Sequence, residues 1–259
     1  MEIKPLPRRR VISIANQKGG VGKTTTAVNL AASLAIANRR VLLIDLDPQA
    51  NTTSFLGIEK STIEKSSYEV MVESWSLSDS RISTSVESLD LVPSAMRLVG
   101  AEVEMVAMEN RERRLKEALD DPQLAYDFVI VDCPPSLSIL TVNALVASGS
   151  VLIPVQCEYF ALEGLGLLLN TIDRIQQSLN PDLVIEGVLL TMFDGRLNLS
   201  RQVEAEARRV FNGKVYQTVI QRNVRLSEAP GFGKPIVLYD PSSVGAENYI
   251  ALAKEVIAS

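Results

Sequence analysis

Short runs of Val, Ile and Leu alternate along the chain with longer segments whose apolar residues recur at helical spacing. The short runs are nearly continuous in apolar residues, which is typical of strands buried on both faces of a parallel sheet. The predicted strands are Val11–Ala15, Val41–Asp45, Leu89–Val92, Phe128–Asp132, Val151–Val155, Ile185–Thr191 and Val215–Val219. The helical segments between them include Thr24–Ala37, Arg111–Asp120, Leu162–Leu179, Ser200–Phe211 and Ala246–Ala258.

This alternation predicts an α/β fold, a single doubly wound and mostly parallel sheet with helices on both faces. We assign residues 11–259 to one domain and residues 1–10 to an N-terminal basic tail. Its Arg8-Arg9-Arg10 run could touch DNA or acidic lipid, or serve as a flexible solubilising tail. Residues 57–87 are rich in Ser and Glu and only weakly periodic, so we expect short helices and loops at the sheet edge.

Composition narrows the function classes. A net charge of −5 argues against a protein that coats nucleic acid with its whole surface, although a local basic patch stays open. The chain has no histidine, which excludes a Ser-His triad and removes the commonest general base and metal ligand. Cys133 and Cys157 form no C-x-x-C pair and are expected to be buried thiols. No run approaches the ~18 to 20 apolar residues of a membrane span, so we expect a cytoplasmic protein.

A glycine-rich turn, NQKGGVGKTTT, lies between the first predicted strand and the first predicted helix, which is the context of a phosphate-binding loop. Its glycines let backbone N–H groups converge on an anion at a helix N-terminus; they are Gly19, Gly20 and Gly22. Lys23 offers a charge to the phosphates, and the Thr24 hydroxyl is suited to Mg²⁺. Gln17 stands where the usual motif begins with glycine.

Three aspartates lie at or just beyond the carboxyl ends of predicted strands, which is the edge of the sheet where doubly wound folds bind ligands. Asp45 and Asp47 end one strand, and Asp132 ends another after four apolar residues. These carboxylates are candidates for a magnesium site and for a group near the reacting water. An aspartate at a strand end can also cap a helix.

Six segments together carry a family resemblance that covers nearly the whole chain. They are KGGVGKTT (18–25), LIDLDPQAN (43–51), VDCPPSL (131–137), PVQCEYFALEGL (154–165), TMFDGR (191–196) and RNVRLSEAPGFGKPI (222–236). The chain resembles the ParA/Soj-type chromosome- and plasmid-partitioning ATPases, which are deviant Walker A members of the MinD/ParA superfamily of P-loop ATPases. The resemblance implies ATP and Mg²⁺ as cofactors.

The resemblance gives Lys18 the role of a signature lysine, which crosses a dimer interface to the phosphates of the partner's ATP. A solvated lysine at the mouth of the loop is the plainer alternative. Gly19 would lie where two subunits approach closely. Asp47 matches the residue that positions the attacking water, and Asp45 and Asp132 would hold Mg²⁺ together with Thr24.

The same resemblance implies a set of ATP-binding residues: Lys18, Gly19, Gly20, Val21, Gly22, Lys23, Thr24, Thr25, Met192 and Asn223. Gln221 replaces a proline found in many relatives near the base. The implied activity is slow hydrolysis of ATP to ADP and phosphate by an ATP-dependent homodimer, with a ParB-like centromere-binding protein as stimulating partner. Lys18, Lys23 and Asp47 are the candidate catalytic residues.

Residues 194–234 form a basic segment with eight basic and four acidic side chains, a net charge of +4 in a chain of −5. Such an asymmetry indicates sequence-independent, salt-sensitive contact with a phosphate backbone. Arg196, Arg222 and Arg225 are the candidate DNA contacts, and the family resemblance implies that role for Arg196 and Arg225 in the ATP-bound dimer. A solvated charged face is the alternative. These expectations place the protein on nonspecific DNA, at the nucleoid, with no membrane partner.

Three other functions share this loop. A MinD-type membrane regulator would end in a basic amphipathic helix, whereas here ENYIALAKEVIAS has Lys254 as its one cation. An iron–sulfur protein would need paired cysteines at a dimer seam. A metabolic ligase or kinase would need a substrate pocket that the sequence does not reveal.

Overall fold

A computed structural model describes residues 9–159 and 163–259. Seven strands form one sheet in the order β3-β4-β2-β5-β1-β6-β7, and every neighbouring pair is parallel except β3 with β4. The strands are β1 (Arg10–Ile14), β2 (Val41–Asp45), β3 (Ile82–Ser83), β4 (Leu89–Val92), β5 (Phe128–Asp132), β6 (Ser150–Gln156) and β7 (Val184–Thr191). The predicted fold class is therefore confirmed.

Helices cover both faces of the sheet. They are α1 (Lys23–Ile36), α2 (Asn51–Phe55), α3 (Ser67–Val72), α4 (Leu77–Ser80), α5 (Leu98–Glu104), α6 (Arg114–Leu119), α7 (Ile139–Ala147), α8 (Gly166–Ser178), α9 (Asn198–Phe211), α10 (Val224–Glu228), α11 (Ile236–Tyr239) and α12 (Val244–Ala258). One buried apolar cluster packs α1, α11 and α12 on one face, and a second packs α3 and α5 to α9 on the other. Successive residues of each central strand divide between these two cores, which explains the continuous apolar runs.

The register of the central strands brings the site together. Asp132 at the end of β5 pairs with Ile14 of β1 on one side and with Asp45 of β2 on the other. The loop after β1 therefore lies beside both carboxylates at the carboxyl edge of the sheet.

The predicted strand Val215–Val219 is wrong. Among the described residues this segment makes one isolated bridge, between Val215 and Val188. The backbone N–H groups of Gln217 and Thr218 donate instead to the Glu255 carboxylate, at 3.0 and 2.7 Å. A side chain from α12 thus takes the donors that a strand ladder would have used.

The sheet edge has the expected short elements, whereas Arg9 and Arg10 bond to the rest of the chain. Residues 57–87 hold short helices and loops as expected, with the two-residue strand β3 among them. The Arg10 guanidinium donates to the Val256 carbonyl and to Glu186, each at 2.5 Å, and Arg9 bonds to the carbonyls of Leu119 and Leu124. Arg8 and the rest of residues 1–8 lie outside the described residues, as does Leu162 of a predicted helix. Within the described ranges, no helix has the length and apolar character needed to span a membrane.

Candidate functional site

The glycine-rich turn forms a tight loop between β1 and α1. Gly20 and Gly22 have φ values of 75° and 88°, in the left-handed region that favours glycine. Gly22 is the residue that precedes α1, so the loop ends at a helix N-terminus, where free N–H groups and the helix dipole favour an anion. Val21 is buried, and its carbonyl accepts a 2.8 Å bond from the Thr191 hydroxyl at the end of β7.

Lys23 lies inside this loop. Its side chain is buried, and Nζ donates to the Lys18 carbonyl at 3.0 Å. Burial lowers the pKa of Lys23, against an opposing effect of the nearby Asp132 and Asp47 charges. An ammonium group held in this way is poised to exchange a carbonyl for a phosphate oxygen.

Asp132 is fully buried and accepts two hydroxyl bonds on one oxygen. Thr24 Oγ1 and Thr52 Oγ1 donate to Oδ2 at 2.8 and 2.7 Å, while Oδ1 is buried with no hydrogen-bond partner among the described residues. A buried carboxylate oxygen without a donor is costly unless a cation or water completes it. Asp132 Oδ1 is thus a free acceptor of the kind expected at a magnesium site.

Asp45 is also fully buried, but both of its oxygens are engaged. Oδ1 accepts from the backbone N–H of Asp47 at 3.1 Å, and Oδ2 accepts from the N–H and hydroxyl of Thr53 at 2.9 and 2.7 Å. Burial and the proximity of Asp132 raise the pKa of Asp45, and burial likewise raises that of Asp132.

Asp47 follows β2 in a turn that leads into α2. Its Oδ1 accepts from the backbone N–H of Gln49 at 2.9 Å, and its side chain is nearly buried. Ala50, the residue before α2, has φ 52°, which is uncommon for a residue with a side chain. Asp47 lies close enough to Lys23 and Asp132 for its charge to act to raise the pKa of each.

The Lys18 side chain contacts a residue outside the glycine-rich loop. Its ammonium pairs with the Glu158 carboxylate beyond β6, and both side chains are 37% exposed. Lys18 borders an open groove of about 780 Å³, lined also by Gln17, Pro135, Ser136, Leu137, Gly164 and Leu167. A Cβ on the adjacent Gly19 would meet no atom of the described residues within 4 Å. The described part of the chain therefore places no steric demand for glycine at position 19.

A second cavity, of about 220 Å³, adjoins the loop at Gly22. Twelve residues line it: Gly22, Thr25, Thr191, Met192, Ile220, Gln221, Arg222, Asn223, Leu226, Ser227, Pro230 and Tyr249. Four predicted ATP-binding residues, Gly22, Thr25, Met192 and Asn223, thus meet in one place. Arg222, predicted as a DNA contact, lines this same cavity. Sequence patterns alone did not indicate the roles of Tyr249 and Leu226 here.

The donor set fits a magnesium ion held partly by a bound nucleotide. A hydroxyl from Thr24 and a carboxylate from Asp132 are hard oxygen donors. The described residues contain no group of three or more acidic, Cys or His side chains that would form an all-protein cage. Mg²⁺ characteristically keeps waters and phosphate oxygens in such sites, which this arrangement allows.

Most arginines of the basic segment are paired within the chain. Arg196 makes a two-bond contact with Asp194 at 2.9 and 2.7 Å, which holds the pKa of that carboxyl well below its usual range. Arg225 pairs with Glu228 at 2.8 Å and with Asp240 at 3.3 Å. These pairs are exposed and therefore weak, so their arginines remain exchangeable toward phosphate.

Three supporting residues escaped the sequence reasoning. Thr52 and Thr53 follow the DPQAN run directly and were not singled out, although each bonds a buried carboxylate. Glu158, the partner of Lys18, lies 140 residues away along the chain. The Thr-Thr pair after an acidic turn was an available signal, whereas the Glu158 contact had none.

Comparison with known proteins shows which family this chain is similar to. The family model for an AAA domain matches residues 9–185. The sporulation initiation inhibitor protein Soj of Bacillus subtilis is 59% identical, over 96% of this chain and 99% of the relative, and the chromosome partitioning protein ParA of Myxococcus xanthus is 54% identical, over 96% and 88%. A cobyrinic acid a,c-diamide synthase of Mycobacterium smegmatis, solved with an ATP analogue and magnesium, superposes with a TM-score of 0.82 at 37% identity, covering 96% of this chain and 94% of that one.

The ATP analogue and magnesium of that structure correspond to ATP and Mg²⁺, the two cofactors that the sequence predicted. Its name is that of a synthase, but the two partitioning proteins are more similar in sequence, at 59% and 54% against 37% identity, over the same 96% of this chain. The chain therefore belongs to the ParA/Soj family of chromosome-partitioning P-loop ATPases.

Proposed function

We propose that this protein is a DNA-segregation ATPase that dimerises when it binds ATP and Mg²⁺ and then binds DNA without sequence preference. A ParB-like partner would accelerate its slow hydrolysis of ATP. The protein would act at the nucleoid to move chromosome or plasmid DNA. The observation that carries this proposal is the difference in burial between Lys23 and Lys18, the two lysines of the glycine-rich loop.

The two lysines lie in different environments, one buried and one at an open groove. Lys23 is buried in its own loop, beside Asp132, and supplies the cation that the phosphates of the bound nucleotide need. Lys18 borders an open groove and is paired with a half-exposed carboxylate, so its charge is available to a second molecule. A cation delivered from a partner stabilises the charge that builds on the transferred phosphoryl group. Dimerisation would then depend on the nucleotide.

The remaining roles follow from the contacts. Magnesium, when bound, would neutralise phosphate charge between Thr24 and Asp132. Asp47, held by its turn, would orient the attacking water, and Asp45 would support the turn through its bonds to Asp47 and Thr53. Since the chain has no histidine, the rate would depend on positioning and on electrostatic stabilisation rather than on a strong base. Slow hydrolysis would set the lifetime of the ATP-bound dimer.

DNA would bind to the two basic segments of the dimer, one from each subunit. Its exposed arginines make weak pairs with acids of the same chain, and two copies in a dimer would present twice the positive surface to one duplex. DNA affinity would therefore follow the nucleotide state and fall with salt.

The test of this proposal is the oligomeric state in ATP. In an Asp47→Ala background, which suppresses turnover, sedimentation velocity should show a dimer with ATP and a monomer with ADP. Adding Lys18→Ala should leave ATP binding intact and abolish the dimer. Lys254→Ala, which removes an equal charge from an exposed site on α12, is the control and should dimerise normally. A Lys18→Ala protein that dimerises with ATP would refute the role of Lys18 across the interface.

A further inference from the structure

The hydrogen bonds around the two buried carboxylates are distributed unequally. Asp132 receives two bonds, both on Oδ2 and both from hydroxyls, of Thr24 and Thr52. Asp45 receives three bonds spread over both oxygens, and two of them come from backbone N–H groups. The orientation of Asp132 thus depends on side chains alone, whereas the backbone fixes Asp45.

Thr52 connects two parts of the site that are distant in sequence. It is fully buried in the first turn of α2, five residues after Asp47, and it bonds a strand end 80 residues further on. Thr24, the other donor, is a candidate ligand of the cation itself. Thr52 is therefore the one donor to this carboxylate, among the described residues, that has no second task at the phosphates.

From this arrangement, and resting on the proposed function, we infer that Thr52 is a positioning residue of the magnesium site. By holding Oδ2 it keeps the Asp132 carboxylate in one orientation, so that the unpartnered Oδ1 stays available to a cation or its bound water. It also ties the turn that carries Asp47 to the strand that carries Asp132. Asp47, beside the attacking water, and Asp132, beside the metal, are thereby held at a fixed separation.

The physical reason is the freedom of a carboxylate to rotate about its terminal torsion, which is broad and two-fold. With one remaining bond, from Thr24, the plane of the Asp132 carboxylate could turn about this broad torsion, and the oxygen that faces the cation would no longer be held in one position. Partners that orient metal-binding groups are typically worth about 10–100-fold in metal affinity. Loss of the Thr52 hydroxyl should therefore weaken the response to Mg²⁺ by about tenfold, without removing any group that touches the nucleotide.

Thr53→Val is a matched control in the same helical turn. It also deletes a fully buried hydroxyl that bonds an aspartate, and it costs a further bond, because Thr53 Oγ1 accepts from the Ser94 N–H at 2.9 Å. Asp45 nevertheless keeps two backbone donors after this change. Thr53→Val should therefore lower the melting temperature without changing the half-saturating Mg²⁺ concentration, whereas Thr52→Val should raise that concentration.

The experiment measures the Kd of a fluorescent methylanthraniloyl ATP with EDTA and across a Mg²⁺ titration, so that no turnover is needed. For Thr52→Val we expect the Kd in EDTA to stay within about twofold of wild type and the half-saturating Mg²⁺ concentration to rise by about tenfold. Thr52→Ser, which keeps the donor, should restore the wild-type value. Thr52→Ala removes the donor with a smaller side chain and gives the same test if the valine variant does not fold.

Two results would overturn the inference while leaving the proposed function intact: an unchanged Mg²⁺ response in both variants that lack the hydroxyl, or an equal loss in Thr53→Val. If wild-type protein bound the nucleotide analogue in neither condition, the proposed ATPase function itself would fail, and the inference with it.

Discussion

A methyl group added at Gly233 is expected to force apart the end of α2 and the basic segment. Gly57 follows α2, and Gly233 lies beside Lys234; both have positive φ, 76° and 65°. A Cβ on Gly233 would lie 2.7 Å from the Gly57 Cα and 3.2 Å from its N. Backbone atoms cannot rotate aside as a flexible side chain can, so one of the two segments must move.

The cost has two components that a control can separate. An L-residue in the left-handed region costs about 1–2 kcal/mol. Overpacking against fixed atoms adds about 1–3 kcal/mol. Gly213 has φ 81°, and no atom of the described residues lies within 4 Å of a built Cβ, so Gly213→Ala should carry only the first component. The free energy of unfolding of Gly233→Ala should therefore lie about 1–3 kcal/mol below that of Gly213→Ala, which corresponds to several degrees in Tm.

Thermal unfolding followed by far-UV circular dichroism measures this difference directly. Because α2 begins just after Asp47 and Gly233 lies in the basic segment, Gly233→Ala should also weaken ATP-dependent DNA binding more than Gly213→Ala does. Equal Tm values for the two variants would refute the reasoning, since they would mean that the contact between Gly57 and Gly233 yields without cost.

Two further predictions concern charge. The pKa values of Asp45 and Asp132 are raised in the folded protein, so the folded state binds more protons than the unfolded state in the window from about pH 5 to about pH 8. The free energy of unfolding without Mg²⁺ should therefore fall as pH rises through this window, as urea titrations at several pH values would measure; a steady rise would contradict the burial of both carboxylates. Arg225→Glu should weaken DNA binding more than Arg209→Glu, an equal charge change on the exposed α9 pair with Glu206. Equal losses in a filter-binding assay would show that net charge alone matters.

The central strands were predictable because burial on both faces leaves a local signature. The bounds of β2, β4 and β5 agree with the predictions residue for residue. The glycine-rich loop and the three aspartates were likewise predictable, since a phosphate site requires particular residue types at a strand end. The register then brings Asp45 beside Asp132.

What the sequence did not reveal depends on partners far along the chain. The segment near Val215 has the composition of a strand, but Glu255 takes its backbone donors. Glu158 pairs with Lys18 across 140 residues, and no local pattern signals such a contact. Thr52 reads as an ordinary helix residue until the fold brings Asp132 to it.

The central claim is that bound ATP switches DNA binding on. The direct measurement is the affinity of Asp47→Ala for a nonspecific DNA duplex with no nucleotide, with ADP and with ATP and Mg²⁺, at two salt concentrations. The account predicts tight binding with ATP alone, weakening steeply at the higher salt as counterions compete for the phosphates. Binding that is absent in every state, or equal in all three, would contradict it.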